Sequence, residues 1–366
     1  MRNPGRPRTS RGDAAPPRAV EFMERAEGPA LARPSGMESD PRPGSVEQCH
    51  AGLEPTRSAE LHPDLDHWRA NVGHPVVRDA GPVAPAQLEG IDVLCWNVAI
   101  GLGRIPDVLE RLRADSPHGP GRRPERPLVI LVQEAFRPDH ELPGARSSHY
   151  GTALAERERL SIVEVAESAG LSLRYSPSMR NGVAASDRGN AILATVRLTH
   201  SRALLLPHVR QRRVAVSARI AGHPEITFVS AHLDTHGRVR GSRSARRPGA
   251  GRMAQAAALA AYLHEMPGSV IVGADLNSAL GVLDPAVRTL VSAGLHPGHR
   301  LGRWRHTFHT PLRLLLDHVL FRSPDHRIAH VEVARIDEAP GDRSRAVFGS
   351  DHHPLLARIQ LNGAHP

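Results

Sequence analysis

The sequence predicts an α/β domain in which sheets pack face to face and helices cover their outer faces. Three observations lead there. From Ile91 onward, short apolar runs are bounded by Gly, Pro and Asn, as strands are. Longer helical stretches are inserted among them. Residues 190–232 read as three strands in succession, which a simple βαβ alternation does not produce.

Taken in order, the expected strands are 91–98 (IDVLCWNV), 128–133 (LVILVQ), 190–196, 213–220, 225–232 (EITFVSAH), 269–274 (SVIVGA), 316–321 (LDHVLF) and 354–360. They combine β-branched residues with length suited to burial on both faces. The expected helices are 105–114, 156–169, 252–265 and 284–293. The third, RMAQAAALAAYLHE, is Ala-rich and so favours helix strongly. One domain spanning residues 89–362 accounts for all of these elements.

Residues 1–88 differ. Of the 32 prolines, 13 lie in the first 90 residues, and no helical or alternating pattern is sustained up to about residue 60. Such composition buries too little apolar surface to offset ordering entropy, so the expectation is a largely disordered extension. Within it, 61–88 reads either as packing on the domain edge through Leu65 and Trp68 or as a linker.

All 47 basic residues are arginine, and the formal net charge is +9. Residues 1–90 hold 11 arginines against 13 acids; the remainder holds 36 against 25, a net of +11. The positive field therefore belongs to the ordered part. Because lysine is absent, part of this charge reflects compositional bias rather than a polyanionic partner. No apolar run is long enough to span a bilayer, the N-terminus shows no secretory h-region, and two cysteines make no disulfide scaffold. A cytoplasmic monomer without membrane insertion is the expectation.

Strand after strand ends in an acid, an amide or a histidine: Trp96-Asn97, Gln133-Glu134, His232-Leu233-Asp234, Asp275-Leu276-Asn277, Leu316-Asp317-His318 and Ser350-Asp351-His352. Apolar strands bury themselves, so polar residues at their ends collect along one rim. Carboxylates, amides and histidines gathered there suit a hard divalent cation and acid–base hydrolysis.

This ordered set, with Gly189-Asn190, resembles the endonuclease/exonuclease/phosphatase superfamily, which includes deoxyribonuclease I, abasic-site endonucleases, sphingomyelinases and inositol-polyphosphate 5-phosphatases. The resemblance covers about residues 91–361. It implies a four-layer α/β/β/α sandwich of two mixed sheets and Mg²⁺-dependent cleavage of a phosphate ester, with Mn²⁺ as a substitute. By the same resemblance, Glu134 is the main metal ligand, with Asn97 and Asp351 beside it. Asp275 orients or deprotonates the attacking water, and Asn277 holds a phosphate oxygen. His352 contacts the scissile phosphate with Asp317 on its ring, and His232 donates to an oxygen that gains charge.

Singly, each residue has a plainer reading: Asn97 as a strand terminus, Glu134 as a solvated strand end, Asp234 and His236 as loop residues, Cys95 as a small buried hydrophobe. With 23 histidines in the chain, His306, His309, His318 and His353 receive no role. Jointly, the ordered set favours the site.

The substrate signal is thinner. Where abasic-site endonucleases show Tyr-x-Pro-Asn, this chain has Ala231-His232-Leu233-Asp234, which argues against specialised base-excision repair. The histidine version is closer to deoxyribonuclease I, the sphingomyelinases and bacterial relatives of unassigned substrate. Arg180, Asn181, Arg188 and Asn190 stand as phosphate contacts or as polar loop residues. Residues 238–252 carry six arginines and no acid; they read either as a cationic loop with Arg246 and Arg247 against substrate phosphate or as a disordered loop in an arginine-biased chain, and their place beside the His232 strand end favours the first. Aromatics are only 3% of the chain, which supplies few stacking platforms; Trp304 is the one placed near the groove. Phosphodiester cleavage in nucleic acid leads. A lipid-headgroup or small-molecule phosphoesterase follows, and a non-catalytic binding module of the same fold is the remaining alternative.

Overall fold

The computed structural model describes residues 19–21, 72–114, 126–140, 158–181, 185–209, 211–235, 249–278, 281–298, 306–309, 314–338 and 347–362. In chain order the elements are β1 (Ala19–Glu21), β2 (Val76–Arg78), β3 (Gly90–Asn97), α1 (Ile105–Ala114), β4 (Leu128–Pro138), α2 (Ile162–Ser168), β5 (Ser172–Arg180), β6 (Ser186–Ala194), β7 (Leu198–Leu205), β8 (Val214–Ile220), β9 (His223–His232), α3 (Ala250–His264), β10 (Ser269–Asp275), α4 (Pro285–Ser292), β11 (His296–Pro297), β12 (Asp317–Arg322), β13 (Ile328–Arg335) and β14 (Leu355–Leu361).

Among the described residues the strands form two seven-stranded mixed sheets. One runs β1-β7-β8-β9-β10-β12-β11 and the other β13-β14-β3-β4-β6-β5-β2. Alternation along each strand builds the layers. Ile91, Val93 and Cys95 of β3 and Val129 and Leu131 of β4 meet Phe228, Ile271 and Val319 of the first sheet in a central core. The intervening Leu94, Trp96, Ile130 and Val132 face outward under α1 and α2. Val229, Val270, Val272 and Leu320 face outward under α3 and α4. The four layers the resemblance implies are present.

Helix starts follow their caps. Ser161 Oγ accepts from the Glu164 amide, so α2 begins at Ile162; the expected helix over 156–169 is correspondingly shorter. Asp284 caps α4 through the Ala286 amide, with Pro285 in the first turn. Besides the short β1, β2 and β11, three longer strands were not anticipated: β5, whose SLRYSPSMR sequence contains Pro177 and lacks clean alternation, and β7 and β13, which alternate with polar residues. The segment 186–232 therefore holds four strands rather than three. Before residue 89, Val76–Arg78 pairs with β5 and Ala19–Glu21 with β7, so both segments are sheet edges. Leu65 and Trp68 lie outside the described residues.

Two glycines mark where backbones or sheets approach most closely. A Cβ on Gly273 would stand 2.7 Å from Leu131 Cδ1 and 3.0 Å from Cys95 Sγ, across the seam between sheets. A Cβ on Gly189 would stand 1.9 Å from the Ser176 carbonyl oxygen. Backbone cannot yield as a side chain can, so Gly189→Ala is expected to cost at least about 3 kcal/mol in urea-induced unfolding, the upper end of overpacking penalties.

Candidate active site

The topology places the strand ends on one rim. In the second sheet β3 runs parallel to β4 and antiparallel to β14; in the first, β10 runs parallel to β9 and antiparallel to β12. The last residue of β10, Asp275, lies opposite the first of β12, Asp317. Across the seam, Asn97 Nδ2 of β3 donates to Asp275 Oδ2 at 2.8 Å, joining the two sheets at the site. Beneath it Gln133 donates to Ser230 Oγ and the Gly273 carbonyl, each at 3.1 Å, pinning the sheets together from the core.

Local backbone aims the functional groups. β4 shifts register against β6 between Val132 and Ala135, and within that bulge Glu134 holds φ 53°. A non-glycine residue in the left-handed region costs about 1 kcal/mol, and bulges redirect side chains. Here the bulge turns a carboxylate out at the rim. Asn277 likewise holds φ 50°, a conformation asparagine tolerates. The loop bearing Asp351 and His352 is tied to β3: Ser350 Oγ donates to the Asn97 carbonyl at 2.6 Å and accepts from the His352 amide at 3.1 Å. Trp96 Nε1 donates to the His352 carbonyl at 2.8 Å.

His352 Nδ1 and Asp317 Oδ2 stand 2.8 Å apart, both buried. Burial alone would depress this imidazole. Asp317, then Asp275 and Asp351, reverse that and hold it up at about 10, so it is a cation at neutral pH. Asp275 accepts from the Asn277 amide at 2.9 Å as well as from Asn97. Burial and the charge of Asp317 push its carboxyl up to about 7, against the opposing pull of His352 and the two hydrogen bonds. His352 Nε2 and Asp275 Oδ2 are 3.9 Å apart.

His232 is the counterpart with the opposite tuning. Burial, then Arg213, His352 and Arg188, drive its imidazole well below the ordinary value, so it is neutral. Arg213 Nη1 lies 2.9 Å from His232 Nδ1, and a guanidinium can only donate. Nδ1 therefore accepts, and the ring proton sits on Nε2, which lies 3.3 Å from Asp275 Oδ2 and 3.1 Å from Asn277 Nδ2. Arg213 carries no signal of its own in a sequence with 47 arginines; only the pairing of β8 with β9 brings it to the site.

The oxygen donors expected to hold a metal open onto the same rim. Glu134 Oε1 is 4.0 Å from His232 Nδ1, and Asp351 Oδ1 is 4.0 Å from His352 Nε2. Burial raises the Asp351 carboxyl; His352 opposes this, and the negative charge of Glu134 adds to it. The charge of Glu134 is thus felt at Asp351, a repulsion between carboxylates that a divalent cation would relieve. Asn97 Oδ1 accepts from the Ala99 amide at 3.0 Å and keeps a second lone pair. Asp275, Asp317 and His352 also present ligand atoms within 4.8 Å of one another, although hydrogen bonding already organises them.

Other expected contacts resolve differently. Asn190 donates to the Val214 and Ser230 carbonyls at 2.8 and 3.3 Å, so its amide ties the sheets together rather than facing substrate. Arg188 reaches Asn181 Oδ1 at 3.3 Å, and its charge is felt at His232. Asp234 is a loop organiser, accepting from the Gln211 and Thr235 amides. Of the arginine-rich stretch, Arg252 is buried and pairs with Asp284 at 2.7 Å. Arg246, Arg247, His236 and Trp304 lie outside the described residues. No helix among the described residues is long and apolar enough to cross a membrane.

Solved structures of similar architecture include the human Nocturnin catalytic domain, with TM-score 0.47, 15% identity, and coverage of 75% of this chain and 96% of that one. An endonuclease/exonuclease/phosphatase from Bacteroides vulgatus aligns with TM-score 0.48 and 13% identity over 75% of this chain and 99% of its own. A 3'-5' exonuclease from Neisseria meningitidis aligns with TM-score 0.44 and 17% identity over 74% of this chain and 100% of its own. No curated protein matches the sequence. The sequence family described as Endonuclease/Exonuclease/phosphatase family matches residues 94–352, a span holding every rim residue described above, and the chain belongs to that family of phosphoester hydrolases.

Proposed function

We propose that the chain is a Mg²⁺-dependent phosphodiesterase acting on nucleic acid. The observation that carries this reading is the geometry of one buried carboxylate–imidazole–carboxylate set: Asp317 Oδ2 stands 2.8 Å from His352 Nδ1, and His352 Nε2 faces Asp275 Oδ2 over 3.9 Å, with the Asp275 carboxyl raised to about 7 and the imidazole raised to about 10. Asp275 takes the proton of the attacking water, which its value near neutrality suits. His352 remains an imidazolium and offers Nε2–H to a phosphate oxygen, with Asp317 fixing the ring. His232 Nε2–H lies 3.1 Å from Asn277 Nδ2, which donates to the Leu233 carbonyl at 2.9 Å; both would offer a proton to a phosphate oxygen as charge builds. Glu134, Asp351 and Asn97 would hold the cation, which when bound neutralises phosphate charge and polarises the phosphorus centre. Arg188 and Arg213 add fixed positive charge beside His232, and the net of +11 beyond residue 90 favours a polyanion.

The test incubates purified protein with plasmid DNA, RNA, sphingomyelin and inositol phosphates, in Mg²⁺ or in EDTA. Turnover of nucleic acid is expected in Mg²⁺ and none in EDTA. Glu134→Gln should raise the Mg²⁺ concentration for half-maximal rate by more than ~10-fold, through loss of a charged ligand. Turnover that survives EDTA overturns the metal role, and cleavage of sphingomyelin or inositol phosphates alone replaces the substrate class.

A further inference from the structure

Behind the catalytic histidine lies a second cluster that the phosphoesterase reading does not use. His306, His309 and His353 each present a ring nitrogen, and these atoms all lie within 4.8 Å of one another. The ring centroids are 5.4 Å (His306–His309), 5.5 Å (His306–His353) and 4.2 Å (His309–His353) apart. His353 is buried, and its Nδ1 stands 2.7 Å from Asp337 Oδ1.

Backbone geometry brings them together. The Phe308 and His352 backbones form an antiparallel bridge, the His309 amide donates to the Asp351 carbonyl at 2.8 Å, and the His353 amide donates to the Thr307 carbonyl at 2.7 Å. Successive side chains of extended backbone point to opposite faces. His352 therefore turns to Asp317, with Phe308 against its ring at 4.6 Å, while His353 turns the other way to Asp337.

We propose that His306, His309 and His353 form a second metal site, distinct from the oxygen-lined rim, that takes a borderline transition-metal dication such as Zn²⁺. Three imidazoles are a donor set for Zn²⁺, Ni²⁺ or Cu²⁺ and a poor one for Mg²⁺, which prefers oxygen. Asp337 Oδ1, 2.7 Å from His353 Nδ1, is placed to become the carboxylate that metal-bound histidines recurrently carry once the ring settles on a metal, with Nε2 as the ligating atom. Tetrahedral ligation at roughly 2.0–2.1 Å needs nitrogens roughly 3.3 Å apart, so the three rings close inward by modest side-chain rotations. Arg335 is the opposing charge. Its Nη1 lies 3.5 Å from His306 Nε2, but its shorter bonds go to the His306 carbonyl at 3.1 Å and Asp337 Oδ2 at 2.9 Å, and Asp337 compensates it. A metal here would clamp residues 306–309 to 351–353. Thr307 Oγ1 also accepts from the Asp317 amide at 3.0 Å, so the clamp steadies the Asp317–His352 pair without touching substrate.

The experiment uses the full chain without an affinity tag, stripped of metal, then titrated with Zn²⁺ against a chromophoric chelator and with Co²⁺ followed by its visible d–d bands. One tight equivalent is expected, retained in Glu134→Gln. His309→Gln should weaken it by ~100-fold or more and Asp337→Asn by ~10–100-fold, with circular dichroism confirming folded protein. Should His309→Gln not fold, His306→Gln and Asp337→Asn decide the matter. Absence of a tight equivalent overturns the proposal. So does binding that these substitutions leave unchanged, or binding that Glu134→Gln abolishes, which would place the ion at the rim.

Discussion

Asp275→Asn is expected to lower kcat by ~10²–10⁴-fold and to remove the acid limb of the pH–rate profile. In the wild type the rate should rise as pH passes through about 7, because Asp275 accepts a proton only when ionised and burial with Asp317 has raised its carboxyl to that value. A bound divalent cation adds positive charge nearby, so the limb should move to lower pH as Mg²⁺ is raised. The substitution keeps shape but not hydrogen bonding: both carboxylate oxygens accept, from Asn97 and from the Asn277 amide, and an asparagine cannot accept on both ends. A stability loss of about 1–3 kcal/mol should accompany the kinetic one. An acid limb unchanged in the variant would sink the assignment of Asp275 as base.

Asp317→Asn should act through His352. Without the carboxylate 2.8 Å from Nδ1, burial prevails and the imidazole loses its charge near neutrality. The alkaline limb, expected near 10 in the wild type, should move down by several pH units, and kcat near pH 8 should fall by ~10²-fold or more. Linkage gives an independent readout. The folded value lies above the ordinary 6.5, so the protonated pair contributes stability that is fully present below about 6.5 and lost as pH rises through about 10. The wild-type Tm should decline across that window, and the variant should show a shallower decline. Equal slopes would remove Asp317 as the source of the shift.

Much of the site was legible because burial forces it. Apolar runs such as LVILVQ and SVIVGA must enter the core, so the polar residues that close them must lie at the rim, and Asn97, Asp275, Asp317 and His352 do. What escaped depends on pairing across the sheets. Arg213 acquires its role only when β8 aligns with β9, and Asn190 loses its expected one because the first sheet offers it the Val214 and Ser230 carbonyls to bind. The left-handed turn at Glu134 is equally invisible in a run of apolar residues, since register against β6 creates the bulge. The strands β5 and β13 escaped for a different reason: polar residues and Pro177 blur the two-residue period by which edge and near-edge strands are recognised.

The bare Cα of Gly273, pressed against Cys95 and Leu131, gives the seam between the sheets a role beyond packing. Asn97 and Asp275 belong to opposite sheets and meet through one hydrogen bond, so the thickness of the core beneath them sets the distance between the carboxylate proposed as base and the amide proposed to help hold the cation. An added methyl at Gly273 would wedge the leaves apart and pull Asp275 from Asn97, lowering activity although no functional side chain is removed. The catalytic centre is thus a gauge of how closely two leaves of a hinge are shut, and core residues with no chemistry of their own hold its calibration.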